Sequence, residues 1–351
     1  MKKWVECVPN FSEGKNRDVI DDIAASISST PDVHLLHVDS GIDVNRTVMT
    51  FVGSPKGVLE AGFKAIETAS KRIDMRKHAG LHRRIGATDV FPFVPVENMT
   101  FEECILLAKQ LASRVATQLH IPIYLYGLAA SKSARTGIPS IRKGGYETLR
   151  KRIQTDEFKP DFGDRKISET AGATIIGVRN YLLAYNVNLL TENPRHAKDI
   201  ARALRSSGRK MRNEDRSVKR DDAGHIVRIP GELTACQADG WYLPTFGVSQ
   251  VTMNLLDYEK TGLHTAFEAV KNRAAKRGIT VGGSELIGMV PKKALLDAGT
   301  FFLRQEGKDA FGETELIAAA SRRLGLSAIA PFDPQTRIIE LALSKAAKKH
   351  R

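Results

Sequence analysis

Apolar residues recur along this chain at two spacings, and the alternation between the two sets out its elements. Residues 4–8 read as a short strand, and the turn at 9–14 leads into a helix in which Val19, Ile20, Ile23, Ala24 and Ile27 return at helical spacing. Ser12 or Asn16 is placed to cap it. Two β-type runs, 33–38 and 47–52, flank a polar loop at 39–46, and a second helix covers 55–72. A basic, glycine-bearing loop at 75–86 follows, then a proline-punctuated strand at 90–96, a helix at 101–119 and a strand at 121–126. From 131 to 172 the chain turns polar and basic, rich in Gly, Pro, Lys and Arg. That composition predicts long loops with one short helix near 146–153, and loops of such length in a compact domain generally carry function.

At Ala173 the pattern restarts in the manner of the beginning. A strand at 181–190 precedes a helix carrying Ala197, Ile200, Ala201 and Leu204, for which Thr191 is the expected cap. A strand at 248–256 and a helix at 262–277 echo the pair at 47–72. Each half thus shows strand, helix, strand, strand, helix and a closing strand, which is the ferredoxin-like β-α-β-β-α-β unit. The expected architecture is α+β: a tandem of two ferredoxin-like subdomains, residues 1–178 and residues 179–351, the second ending in a helical tail. A chain of 351 residues is long enough for two such cores.

Composition adds exclusions. With 42% hydrophobic and 26% charged residues the chain is neither disordered nor fibrous. No apolar run reaches the roughly 20 residues that span a bilayer, and the start lacks a signal-peptide stretch, so a soluble cytoplasmic protein with no membrane partner is expected. Cys7, Cys104 and Cys236 are odd in number and lack metal-ligand spacing, so they read as core or surface thiols and no metal is expected. The net charge of +13 concentrates anions near the surface and in clefts. Its excess lies in two stretches, 202–228 and 345–351, interleaved with polar residues rather than aromatics; a solvated loop and a frayed helix end are the expectation. No zinc-finger, RRM or helix-turn-helix signature supports a nucleic-acid partner, and Gly282-Gly283 is too short for a phosphate cradle. A non-enzymatic module binding anions or nucleic acid stands as the rival reading, which salt-resistant binding of DNA or RNA would favour.

Several strings carry a specific likeness: VECVPNFSEG at 5–14, NRTV at 45–48, KHAGLHRRIGATDV at 77–90, IYLYG at 123–127, PDFG at 160–163, GATIIGVR at 172–179, LIGMVPKKALLDA at 286–298 and APFDPQTRIIE at 330–340. In this order and spacing, over nearly the whole chain, they resemble the formiminotransferase part of the formiminotransferase-cyclodeaminase family and its free-standing bacterial relatives. The cyclodeaminase half of that family is not part of this sequence. The resemblance implies a homodimer of two-subdomain chains with folate held in a basic groove between the subdomains. It also implies glutamate formimidoyltransferase activity: transfer of the formimidoyl group of N-formimidoyl-L-glutamate to N5 of tetrahydrofolate, a step of histidine degradation and one-carbon metabolism. Tetrahydrofolate is then a co-substrate, and its anionic tail and the dicarboxylate donor give the positive charge an ordinary purpose.

Such a transfer needs a group that takes a proton from the attacking nitrogen and returns one to the leaving nitrogen, and imidazole suits both steps. The resemblance places His82 in that role. His78, in the same loop, reads as an anion ligand or a surface residue; His34, His37, His120, His196, His225, His264 and His350 read as packed or solvated. Asp39, at a strand end, either orients an imidazole or a substrate nitrogen or closes a turn. Asn10 and Asn45 are candidates for holding substrate, and Arg46 and Arg84 offer planar forks for carboxylates against the plain alternative of solvated arginines. The resemblance makes Gly163, Asp164, Arg165, Lys166, Ile167, Ser168, Glu169, Thr170, Ala171 and Gly172 the folate loop, with glycines at both ends allowing close backbone approach. The chain departs from the family in carrying Leu81 and Arg83 where glutamate and proline flank the histidine, and within the folate loop. Losing an acid and gaining a cation there is expected to lower the imidazole pKa, and it leaves another acyl donor, such as a formyl compound, as an alternative.

Overall fold

The computed structural model describes residues 3–309 and 312–348. His350 and the last residues of the basic tail lie outside this range. The chain divides into two compact units, one formed by the chain up to Asn180 with the segment from Leu343 onward, the other by Tyr181–Ala342.

The first unit opens with β1 (Trp4–Cys7) and β2 (Asn10–Phe11), two pieces of one broken strand, then α1 (Arg17–Ser28), β3 (Val33–Gly41), β4 (Arg46–Gly53), α2 (Pro55–Arg72) and β5 (Thr88–Glu97). Asn16, not Ser12, caps α1 by accepting from the backbone of Asp18 and Val19, while the Ser12 hydroxyl donates to Gly86 O at 2.7 Å. The broken strand lies between β4 and β5, and β3 flanks β4, all antiparallel. Beyond β5 come α3 (Phe101–Gln118), β6 (Ile123–Gly127), α4 (Ile138–Ile141), α5 (Gly145–Arg152) and β7 (Thr174–Val178). β7 inserts between β5 and β6, parallel to both. Its run TIIGV is buried on both faces, as parallel strands are, so the sequence restart comes after it rather than at Ala173.

Alternation along these strands builds a core on each face of the sheet. Phe91, Phe93, Ile123, Leu125 and Ile176 join the apolar stripes of α1, α2 and α3. On the other side Val90, Tyr124, Tyr126 and Ile175 meet Ile141, Leu149, Ile153, Phe158 and Ile167. The segment expected to be mostly loop therefore supplies a packed layer. Its apolar anchors are sparse among charges, and Arg135, itself buried, ties the layer down by its ion pair to Asp161 at 2.7 Å.

The second unit runs β8 (Leu183–Leu189), α6 (Pro194–Leu204), β9 (Arg209–Lys210), β10 (Arg228–Ile229), β11 (Cys236–Leu243), β12 (Val248–Leu255), α7 (Leu263–Ala275), β13 (Val281–Ile287), α8 (Lys292–Gln305), α9 (Glu313–Leu324) and α10 (Pro334–Arg337), with α11 (Ile339–Lys348) after it. Its four-stranded sheet has the order β11-β12-β8-β13, antiparallel throughout, and its apolar face packs on α6 and α7. Asn193, rather than Thr191, caps α6, because Pro194 lacks an amide proton and is pre-shaped for the first helical position. The basic stretch expected to be a solvated loop is solvated but ordered: β9 pairs with β10, and further bridges join Arg212 to Val218 and Arg220 to Ile226. All three cysteines are buried thiols. No described helix is long and apolar enough to cross a membrane.

Candidate active site

The candidate residues of the first unit gather where the loop between α2 and β5 crosses the starts of β2 and β4. Asp89, near the start of β5, is fully buried, and a lone buried carboxylate is costly unless it is paired. Here Arg46 Nη1 and Arg142 Nη2 both lie 2.6 Å from its Oδ2, and the amide of Ile85 donates to its Oδ1 at 3.0 Å. Arg46 uses its other edge on Asn10, Nε donating to Oδ1 at 3.0 Å. Two guanidinium groups thus share one carboxylate, and the cluster keeps an excess positive charge. Arg142 Nε is buried there without a hydrogen-bond partner.

The electrostatics follow from that arrangement. Burial pushes the Asp89 carboxyl up, but the charges of Arg142 and Arg46 outweigh it and hold the pKa at about 2. Burial brings Arg46 down to about 10, which still leaves it charged at neutral pH. His82, half-buried, is held well below its ordinary value, first by burial and then by the charges of Arg46 and Arg142, with Asp89 acting in the opposite sense. The lowering expected from the sequence is present, but its causes are burial first and then the charges of Arg46 and Arg142, not the charge of Arg83. What Arg83 supplies is its carbonyl, 2.6 Å from His82 Nδ1. Leu81 and Arg83 are exposed.

Neighbouring contacts fix the loop that bears the histidine. Asn45, in the left-handed region at φ 47°, accepts from Gly14 N at 2.9 Å and donates to Ala79 O at 2.8 Å. His78 Nε2 lies 2.9 Å from Asn45 O, and Arg84 Nε donates to His78 Nδ1 at 2.8 Å. Because Arg84 donates at Nδ1, that nitrogen is the acceptor and Nε2 carries the proton. Arg84 also pairs with Glu147 at 2.7 Å. Arg84 and His78 therefore brace the loop through these internal partners.

The segment 163–172 is tied to both flanks of the histidine loop: Met75 N donates to Thr170 O, Ala87 N to Ala171 O and Ala173 N to Ile85 O, at 2.8, 2.8 and 3.0 Å. Ile167 and Ala171 are buried, while Asp164, Lys166, Glu169 and Gly163 are exposed. Arg165 pairs with Asp156, Glu169 with Arg150, and Ser168 closes a short bridge to Gly172. Gly172 has φ +71°, and a Cβ on it would stand 2.2 Å from Ile85 O. The close approach that this glycine permits is thus to the protein's own backbone. Gly172→Ala is expected to cost about 1–3 kcal/mol, read as a lower midpoint in urea unfolding.

Asp39 sits on β3 opposite Val48, half-buried, with its carboxylate 3.8 Å from His37 Nε2. The residues that the sequence did not single out are Asp89 and Arg142. Asp89 was visible as one carboxylate opening an otherwise apolar strand, a position that demands a cation; Arg142 had no such mark among many loop arginines. Among the described residues no group of three or more His, Cys, Asp or Glu is placed to hold a metal ion.

Residues 4–179 match the model of the formiminotransferase domain, N-terminal subdomain, and residues 184–344 that of the formiminotransferase domain. The chain is 46% identical over 340 residues to formimidoyltransferase-cyclodeaminase of Rattus norvegicus, covering 97% of this chain and 60% of that one. It is 41% identical over 309 residues to glutamate formimidoyltransferase of Streptococcus pyogenes serotype M1, covering 88% and 96%. The protein of the same name from Thermoplasma acidophilum is 39% identical over 307 residues, covering 87% and 94%. The chain thus spans about three-fifths of the length of the cyclodeaminase-bearing relative and nearly all of the two shorter ones.

Proposed function

The chain belongs to the formiminotransferase family, and from that premise we propose that it transfers the formimidoyl group of N-formimidoyl-L-glutamate to N5 of tetrahydrofolate. The observation that carries the reading is His82 set beside the Arg46–Asp89–Arg142 cluster, an imidazole kept neutral next to a seat for an anion. The dicarboxylate donor finds its counter-charge there, with Arg142 Nε as an unused donor. N5 attacks the amidine carbon and a C–N bond forms, and His82 takes the N5 proton. The tetrahedral intermediate then expels the glutamate nitrogen as the second C–N bond breaks, and His82 returns the proton to that nitrogen. Holding the two substrates in register supplies much of the remaining acceleration.

Both sheets place the third strand of a β-α-β-β-α-β unit beside the first, an order that supports a tandem of ferredoxin-like subdomains, with β6 and β7 as additions to the first. Folate binding by segment 163–172, a role for Asp39 in orienting substrate, a homodimer and a cytoplasmic location complete the proposal and rest on the family resemblance.

A neutral His82 sets the pH dependence. With its value lowered in the folded protein, kcat/KM is expected to stay level from pH 8 down through about 6.5 and to fall only below it, measured as initial rates at subsaturating donor. The stability contribution has the matching sign: it is complete above about 6.5 and shrinks as pH falls toward the folded-state value, because only the unfolded chain binds the proton in that window. An acid limb centred above 6.5 would remove His82 as the free base. The activity itself is tested by incubating the protein with tetrahydrofolate and either formimidoyl-glutamate or formyl-glutamate. Formation of 5-formimidoyltetrahydrofolate from the first is expected; turnover of the formyl donor alone would replace this reading with the formyl one.

A further inference from the structure

The loop that bears His82 is seated on the turn between β3 and β4, and the contacts follow the order of the chain. His78 Nε2 donates to Asn45 O at 2.9 Å, Asn45 Nδ2 donates to Ala79 O at 2.8 Å, and Leu81 N donates to Asp43 O at 3.2 Å. Between these bonds Gly80 passes so close that a Cβ on it would stand 2.5 Å from Val44 O and 2.8 Å from Asn45 Cβ. Residues 78–81 thus lie against residues 43–45. One step further along each segment come His82 and Arg46. The Arg46 charge acts on the His82 ring, while its Nη1 holds Asp89. The seating of the loop on the turn therefore sets where the His82 imidazole stands relative to the cluster.

Of the side chains in that seat, His78 reaches both ways. Its Nε2 meets the turn, and its Nδ1 accepts from Arg84 Nε at 2.8 Å. Arg84 Nη2 also donates to His78 O at 2.9 Å and pairs with Glu147 on α5. One imidazole thus joins the turn, the loop and, through Arg84, a helix 63 residues away in sequence. Only the neutral ring with its proton on Nε2 makes both bonds. A protonated ring has no acceptor for Arg84, and the other tautomer sets donor against donor at Nδ1 and acceptor against acceptor at Nε2. Burial lowers the pKa of this ring, which favours the neutral form. With both nitrogens engaged inside the protein, neither is left for substrate or for proton transfer.

We propose that His78 is a positioning residue for the transfer: it acts through His82, by holding the loop on residues 43–45 so that the second imidazole stands beside Arg46. This inference rests on the proton-carrier reading of His82 given above. It predicts a particular form of loss. A base misplaced by about 1 Å costs up to roughly 10²-fold in rate. The charges that receive the donor are held by Asp89 and not by His78, so binding of the donor is spared.

A double-substitution cycle on the full chain gives the test, with kcat and KM for formimidoyl transfer to tetrahydrofolate measured in the parent, His78→Leu, His82→Ala and the double variant. His78→Leu is expected to lower kcat roughly 10- to 100-fold with the KM for formimidoyl-glutamate unchanged. In the His82→Ala background it is expected to lower nothing further, since no imidazole is left to misplace. His78→Gln, whose Nε2 reaches the place of the imidazole Nε2 and restores the bond to Asn45 O, is expected to recover most of the loss. The same fractional loss in both backgrounds, a raised KM at parent kcat, or parent-like kinetics in His78→Leu would each overturn the inference while His82 keeps its role. Full activity in His82→Ala alone would sink the proton-carrier reading and this inference with it. If His78→Leu does not fold, Gly80→Ala carries the same cycle with the same expected and contrary outcomes, because a Cβ at this exposed position lifts the loop off Val44 O without opening the core.

Discussion

Asp89→Asn is expected to destabilise the first unit by about 3–5 kcal/mol, seen in calorimetry as a fall of its melting transition on the order of 10 °C. The cause is not the loss of one hydrogen bond. Asp89 is fully buried and its Oδ2 holds Arg46 and Arg142 at 2.6 Å each, so a neutral amide would leave two enclosed guanidinium groups facing each other without a counter-charge. Exposed ion pairs such as Lys71–Glu67 set the contrast, because solvent screens them and their removal costs less than about 1 kcal/mol. Acid acts on the parent by the same route. The folded-state value of about 2 lies below the ordinary carboxyl value near 3.9, so the stabilisation from Asp89 is complete above about 4 and is lost as pH falls through 2. A variant that melts with the parent would show that the two arginines do not depend on this carboxylate.

His82→Ala is expected to lower kcat/KM for formimidoyl transfer by roughly 10²- to 10⁴-fold, the range for removing a general base, with the melting temperature little changed. The ring is half-buried and sits on the loop between α2 and β5, so its removal opens no core cavity. Retention of the fold separates this variant from Asp89→Asn, whose damage is to stability first. The size of the loss distinguishes a proton carrier from a residue that merely lines the site, and the lost acid limb of the pH profile gives a second reading of the same variant. Binding of an anionic donor beside Arg46 and Arg142 offsets the charges that depress the imidazole, so its basicity rises when substrate is present.

The elements were largely legible in the sequence because their periodicity is strong: the helix expected at 55–72 is α2 at Pro55–Arg72, and Asn16 caps α1 as one of two candidates. What escaped the pattern was long-range. The packed layer formed by the segment around α4 and α5 depends on Ile141, Leu149, Ile153, Phe158 and Ile167, too widely spaced among charges to show a period. β7 reads like a fresh start because its run is apolar on both faces, and only its pairing with β5 and β6 places it in the first sheet. In the site, Asn10 and Arg46 do meet in the fold, and Asn45 fixes the loop beside them. Arg84 turned inward to His78 and Glu147 because a buried guanidinium must find acceptors. Arg142, 53 residues downstream of Asp89 in sequence, became visible only when that carboxylate was seen to hold two cations.

The most direct measurement follows a 13C label in the formimidoyl carbon of N-formimidoyl-L-glutamate through a single turnover with tetrahydrofolate. The label is expected to leave the glutamate nitrogen and appear on N5 of the folate, rapidly with the parent and slower by the factor given above with His82→Ala. A label that stays on glutamate with the parent, or that moves equally fast in both proteins, would contradict the assignment of transfer chemistry to this imidazole.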